Sequence, residues 1–216
     1  MENKKSAIDA AYLIGEIPDA LENLQLPDPE LLQFYRNYKN RILWVDEEIS
    51  ELSLKYAKMI MQWNFEDKQN GIPKEKRVPI KLLFFSPGGD LMVNNSLIDT
   101  ITLSETKVIG INAGEASSSG CFIYLACHER YTFPNATFLI HKGSGRFEGD
   151  YDELMSALAN YQRQIEYIGD YVLSRTEIPE DVFNENFTTD WYLSADEAIK
   201  YHVADKIITS LDEIIE

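Results

Sequence analysis

The sequence alternates between strand-like and helix-like patterns, and this alternation limits the possible folds more than any other feature. Near-continuous apolar runs, typical of strands covered on both faces, occur at residues 80–85, 107–113 and 136–141. Apolar residues at helical spacing occupy residues 91–103 and 151–176. Repeated β-α alternation with short connections predicts an α/β fold with a largely parallel sheet, whose ligand site lies beyond the carboxyl ends of its strands.

Residues 35–216 are predicted to form one domain that contains all of these elements. It begins with a short strand at 42–45 and an amphipathic helix, and its last helix is introduced by a capping box made by Ser194 and Glu197. Residues 1–34 have scattered apolar positions and a stretch rich in helix breakers at 26–29. They are predicted to form a helical or loosely ordered arm.

Charge and composition exclude several classes of partner. A formal net charge of −16 opposes binding to nucleic acid and to anionic membrane surfaces. No apolar run is long enough to span a bilayer or to resemble the core of a signal peptide, so a cytoplasmic location is predicted. The three histidines and two cysteines lack the spacing of a zinc site, and we expect neither a metal nor a cofactor.

The loop Ser86-Pro87-Gly88-Gly89 follows the strand at 80–85. Its glycines remove side chains where a strand ends, so backbone N–H groups could approach a ligand closely. An ordinary tight turn is the alternative, because Pro-Gly is a common turn signal.

The loop Gly114-Glu115-Ala116-Ser117-Ser118-Ser119-Gly120 places three hydroxyls before an apolar helix predicted at 121–128. A helix start favours developing negative charge, so the loop is a candidate nucleophile elbow. It departs from the G-x-S-x-G pattern, because Ala116 stands where that pattern has its first glycine. The serines could equally cap the helix, and spacing alone does not rank them.

His141 ends the strand at 136–141 and is a candidate general base that faces the same crevice. A hydrogen-bonded structural imidazole is the alternative. His128 is predicted to interact favourably with a helix C-terminus, and His202 follows the last helix. The chain has many carboxylates, so spacing cannot select the one that would orient His141.

Four landmarks in order resemble the proteolytic subunit of the Clp protease, over residues 35–208. They are Ser86-Pro87-Gly88-Gly89, the segment 114–120, Pro134-Asn135 with Ile140-His141, and the segment from Asp190 to Ala198. The resemblance implies a ClpP/crotonase-like repeated β-α-β spiral with a protruding handle helix, here residues 151–176. It also implies a serine endopeptidase with the triad Ser118, His141 and Asp190, and an oxyanion hole made by the backbone N–H groups of Gly89 and Ser119.

The same resemblance implies an assembly. Heptameric rings would stack through the handles into a 14-mer that encloses proteolysis of unfolded polypeptides, fed by an AAA+ unfoldase. The chain departs from the family at three places. Ser119 replaces a methionine, Lys142-Gly143 replaces Gln-Pro, and the N-terminal segment lacks a recognisable axial-pore loop. The alternatives are a crotonase-type acyl-CoA enzyme and a non-catalytic ring subunit on the same fold.

Overall fold

The structure is a computed structural model that describes residues 28–215, and the chain divides between Ile42 and Leu43 into two compact units. Helix α1 (Pro29–Lys39) lies in the first unit. Its start is capped by Asp28, whose carboxylate accepts a hydrogen bond from the Glu30 N–H at 2.9 Å. The helix runs past residue 34, where the arm was predicted to end. Residues 1–27 of that arm lie outside the described residues.

The second unit carries the sheet and the remaining helices of the described part. Its strands, the first of which begins one residue before the boundary, are β1 (Ile42–Val45), β2 (Ile80–Ser86), β3 (Val108–Ser117), β4 (Glu129–Thr132), β5 (Thr137–Ile140), β6 (Trp191–Leu193) and β7 (Lys206–Ile207). Its helices are α2 (Leu54–Gln69), α3 (Leu91–Thr102), α4 (Ser119–Ala126), α5 (Tyr151–Arg175), α6 (Glu180–Asn186), α7 (Ala195–Lys200) and α8 (Asp212–Ile215).

The sheet runs in the order β1-β2-β3-β4-β7, and β3 branches to a second neighbour. Residues 109–112 of β3 pair with β4, whereas residues 115–117 pair with β5, both in parallel. Asn112 lies at the branch, where its side-chain amide donates to the Thr137 carbonyl and its oxygen accepts from the Gly114 N–H. Strand β6 pairs with β5 antiparallel and so extends the branch.

Helix α4 forms the centre of the core. All eight of its residues are buried, as expected for a helix that is apolar on every side. The Tyr124 ring packs between Phe84 of β2 and Phe138 of β5, with ring centroids 5.6 Å and 5.2 Å apart. Its hydroxyl donates to the Tyr131 carbonyl, so burial leaves the polar tip paired. This packing holds the carboxyl ends of β2, β3 and β5 close together.

The predicted strands and long helices are present, and the differences lie in the connections. The predicted turn over 114–120 is wrong, because β3 continues to Ser117 by pairing with β5 and the chain turns only at Ser118. The short elements β4, β6 and α6 were not predicted. Helix α5 matches its prediction closely, and only Ile168, Gly169 and Val172 of its 25 residues are buried. No helix in the described part of the chain combines the length and the apolarity needed to cross a membrane.

Candidate active site

Ser118 occupies the sharp turn between β3 and α4. Its φ of 53° lies in the left-handed region, which is uncommon for a residue with a side chain and is typical of strained functional turns. The Ser118 N–H donates to the Leu139 carbonyl of β5 at 2.8 Å, and this bond fixes the turn against the neighbouring strand. Although Ser118 holds the N-cap position of α4, its side chain makes no capping hydrogen bond.

The three neighbouring serines have different partners. The Ser118 hydroxyl lies 2.9 Å from His141 Nε2. The Ser117 hydroxyl donates to the Glu115 carboxylate at 2.8 Å, and the Ser119 hydroxyl donates to the Gly89 carbonyl at the same distance. Of the three, Ser118 alone contacts an imidazole, which the spacing of the sequence could not reveal.

His141 links Ser118 to Asp190. Its Nδ1 lies 2.9 Å from Asp190 Oδ1. A carboxylate only accepts hydrogen bonds, so Nδ1 carries a proton, and in the neutral imidazole Nε2 is then the acceptor for the Ser118 hydroxyl. The antiparallel pair of Ile140 with Trp191 brings the two residues together, because His141 follows Ile140 and Asp190 precedes Trp191, which places them opposite each other at the same end of the pair. The Asp190 side chain is 60% exposed, and that of His141 is 24% exposed.

The glycine loop lies against the residues around Ser118. The Ile49 N–H donates to the Gly88 carbonyl at 2.7 Å, and the Asp90 N–H donates to the Ile49 carbonyl at 2.8 Å. A Cβ on Gly89 would lie 2.2 Å from the Ile49 carbonyl oxygen, and one on Gly88 would lie 2.6 Å from the Ser118 Cβ. Both glycines also have positive φ, so the loop needs glycine for close approach as well as for turning.

Two backbone N–H groups beside Ser118 are available for a ligand. Those of Gly89 and Ser119 donate no hydrogen bond to any other residue within 28–215. The Ser119 N–H belongs to the first turn of α4, where a helix has no acceptor of its own and its dipole favours negative charge. The Ser119 hydroxyl bonded to the Gly89 carbonyl keeps the two backbone segments together.

A cavity of about 350 Å³ opens beside these groups. Its wall includes Gly89, Ser118 and His141 from the predicted loops. The lining residues that sequence reasoning missed come from several elements: Glu48, Leu91, Phe122, Tyr161, Ile165, Ile168 and Phe187. In the sequence, no pattern distinguishes these residues from ordinary core or surface positions. Only folding brings them to the cavity beside Ser118.

The remaining histidines and both cysteines have other roles. His128 Nδ1 accepts the Val108 N–H at 3.0 Å and therefore carries no proton; burial lowers the pKa of His128. The predicted favourable interaction of His128 with a helix C-terminus stays a prediction. His202 follows α7 as predicted, with Nε2 3.0 Å from the Asp205 carboxylate. Cys121 and Cys127 are free and buried, and burial raises the pKa of each thiol to about 12.

Comparison with known proteins matches most of this chain to one family. A family model described as Clp protease matches residues 32–211. The proteolytic subunit 2 of the ATP-dependent Clp protease of Pseudomonas aeruginosa is 32% identical over 143 residues, which cover 63% of this chain and 69% of that protein. The corresponding subunit of Deinococcus radiodurans is 25% identical over 203 residues, which cover 93% and 96%.

A solved structure shares the fold. An asparagine-to-aspartate mutant of ClpP1 from Listeria monocytogenes aligns with a TM-score of 0.70 at 22% sequence identity, covering 85% of this chain and 99% of that one. This likeness confirms the predicted ClpP-like α/β fold.

Proposed function

The chain belongs to the Clp protease family, a family of serine peptidases, and from that membership we propose that it is an endopeptidase with the catalytic residues Ser118, His141 and Asp190. One observation carries the assignment of residues. A continuous line of two 2.9 Å contacts joins the Ser118 hydroxyl, the imidazole and the Asp190 carboxylate. This is the arrangement that activates a serine hydroxyl for attack on an acyl group.

The proposed mechanism has two stages. As the Ser118 Oγ attacks a peptide carbonyl, His141 Nε2 takes the hydroxyl proton, and Asp190 stabilises the imidazolium that forms. The carbonyl electron pair moves onto oxygen, where the N–H groups of Gly89 and Ser119 would bind it. His141 then gives the proton to the leaving amine as the C–N bond breaks, and water hydrolyses the acyl-enzyme in the same way.

The test of this proposal is labelling with a fluorophosphonate probe. We expect the probe to label Ser118, and Ser118→Ala to lose both labelling and peptide cleavage, the latter by about 10⁴-fold or more. Ser117→Ala is the matched control, because its hydroxyl bonds Glu115 rather than His141, and it should keep both. Labelling that survives Ser118→Ala, or that moves to Ser117 or Ser119, would contradict the assignment.

We further propose that the subunits form heptameric rings, stacked as a 14-mer, that degrade unfolded polypeptides supplied by an AAA+ unfoldase. The support is the description of the relatives as proteolytic subunits of an ATP-dependent protease. It is also the long exposed part of α5, which presents Tyr151 and Tyr167 to solvent in the single chain. Degradation assays with and without candidate ATPases test the coupling. The cytoplasmic location stays a prediction.

The two alternatives remain distinguishable by experiment. A crotonase-type acyl-CoA enzyme is not favoured, because the family match is to Clp proteases, and measured binding of coenzyme A thioesters would be needed to revive it. A non-catalytic ring subunit would assemble but would fail to react with the fluorophosphonate probe.

A further inference from the structure

Lys142 lies where two cavities adjoin. The first is the cavity of about 350 Å³ beside Ser118. The second, of about 600 Å³, runs along α5 and includes Met155 and Leu158 in its wall. Lys142, Tyr161 and Ile165 line both. A peptide bound at Ser118 that extends along α5 therefore passes the Lys142 side chain.

The position of the Lys142 ammonium group is defined by its neighbours. Its Nζ lies 5.9 Å from the centroid of the Phe187 ring, which is part of the wall of the first cavity. The Tyr161 hydroxyl donates to the Lys142 carbonyl at 3.4 Å and ties the backbone to α5. Within residues 28–215 no carboxylate forms an ion pair with Lys142, so its charge is available to a ligand.

The two cavities share one positive charge, and each has one negative charge of its own. Lys142 is the one cationic side chain among the described residues that line either cavity. Two acidic side chains oppose it, Glu48 in the first cavity and Glu166 in the second, but neither lines both. Most of the other lining residues are apolar or aromatic. A ligand that fits this surface combines large apolar side chains with one negative charge near the boundary of the cavities.

We propose that Lys142 is a specificity-determining residue, which favours peptides that carry an acidic side chain within three residues of the cleaved bond. The inference rests on the proposed peptidase function. It concerns a residue that stands where the related family commonly has an uncharged glutamine. Because the ammonium group is exposed, the preference is expected to be small, about two- to fivefold, and to weaken as added salt screens the charge.

The experiment uses the full chain and pairs of fluorogenic peptides that differ only by Glu or Gln at one of the three positions on each side of a large apolar residue. The measured quantity is the ratio of kcat/KM for Glu over Gln within each enzyme. We expect a ratio of about two to five at one position or more in the unchanged chain. It should fall to about one in Lys142→Gln and below one in Lys142→Glu.

Lys200→Gln is the matched control, because it removes the same charge from a lysine that also lies over an aromatic ring but lines neither cavity. It should leave the ratio unchanged. Equal ratios in the unchanged chain and in Lys142→Gln at every position would overturn the inference. Binding of the same peptides to Ser118→Ala, followed by fluorescence anisotropy, gives the ratio without cleavage. Failure of the peptidase proposal is therefore distinguishable from failure of the Lys142 inference.

Discussion

At the scale of single residues, the position of Ser118 depends on Gly88, a neighbour that has no side chain. The turn at Ser118 brings its Cβ against Gly88, where an added Cβ would also lie 2.7 Å from the Ser117 carbonyl oxygen. A Cβ atom does not make non-bonded contacts that short, so any larger residue must move one of the two backbones. The glycine loop therefore determines where the hydroxyl lies relative to His141.

Gly88→Ala tests this dependence. We expect kcat/KM for peptide cleavage to fall by about 100-fold, because displacing a catalytic group by an ångström has that effect. Gly71→Ala is the control, since Gly71 also has a positive φ but has open space around it. It should lower the free energy of unfolding by about 1 kcal/mol and leave cleavage unchanged. Wild-type kcat/KM in Gly88→Ala would contradict the argument.

At the scale of elements, the pairing of β5 with β6 brings Asp190 to His141 although the two are 49 positions apart. Strand β6 has only three residues, and the chain enters α7 directly after it. The capping box predicted for Ser194 and Glu197 is present: the Ser194 N–H donates to the Glu197 carboxylate at 2.9 Å, and the Glu197 N–H donates to the Ser194 hydroxyl at 3.4 Å. This cap fixes the end of the strand that carries Asp190.

Ser194→Ala should lower the free energy of unfolding by about 1 kcal/mol in urea titrations at neutral pH. Hydrogen bonds from the Ser194 backbone and then its hydroxyl lower the pKa of Glu197 below its usual 4.5. A carboxylate whose pKa is lower in the folded than in the unfolded chain stabilises the fold at pH values above its unfolded pKa. This contribution is lost as the pH falls through the folded pKa. The difference between wild type and Ser194→Ala should therefore shrink below about pH 4.5.

Ser174→Ala is the control for this measurement, because its exposed hydroxyl only bonds the Tyr171 carbonyl one turn back in α5. Alanine is favourable inside a helix, so no loss of stability is expected. Equal free energies of unfolding for Ser194→Ala and the unchanged chain at every pH would contradict a stabilising role of the cap.

At the scale of the whole molecule, α5 is a long helix with few buried positions in the single chain. Its exposed apolar residues include Tyr151 at 75% and Tyr167 at 52% exposure, and neither lines a cavity. Such a face is expected to be covered in the assembled protein, because large exposed apolar patches mark sites of association. The proposed contact between rings would use this part of the helix.

Tyr151→Glu should separate the proposed 14-mer into single rings, because it places a charge on an exposed apolar part of α5 that lines neither cavity. Native mass spectrometry should then show half the mass of the unchanged assembly. Leu211→Glu introduces a glutamate at another exposed apolar residue, outside α5, and should leave the mass unaltered. Neither change should alter the free energy of unfolding by more than about 0.5 kcal/mol. An unaltered mass for Tyr151→Glu would argue against contact through this part of the helix.

Local sequence patterns were enough to predict the α/β class, the main strands and long helices, and the capping box. Each of these is encoded by residues close together in the chain, through periodicity and capping chemistry. The landmark motifs also identified the family and proposed Ser118, His141 and Asp190 by resemblance. From spacing alone, however, the three serines were equivalent and no carboxylate stood out.

Only the tertiary structure distinguished the serines and brought the acid to the base. The left-handed turn at Ser118 exists because β3 continues along β5 to Ser117, and the contact of His141 with Asp190 exists because β6 pairs with β5. The cavity walls from α5 and α6 likewise come from distant parts of the sequence. Local sequence patterns indicate the secondary structure of one segment. These contacts, in contrast, depend on packing between segments that are far apart in the sequence.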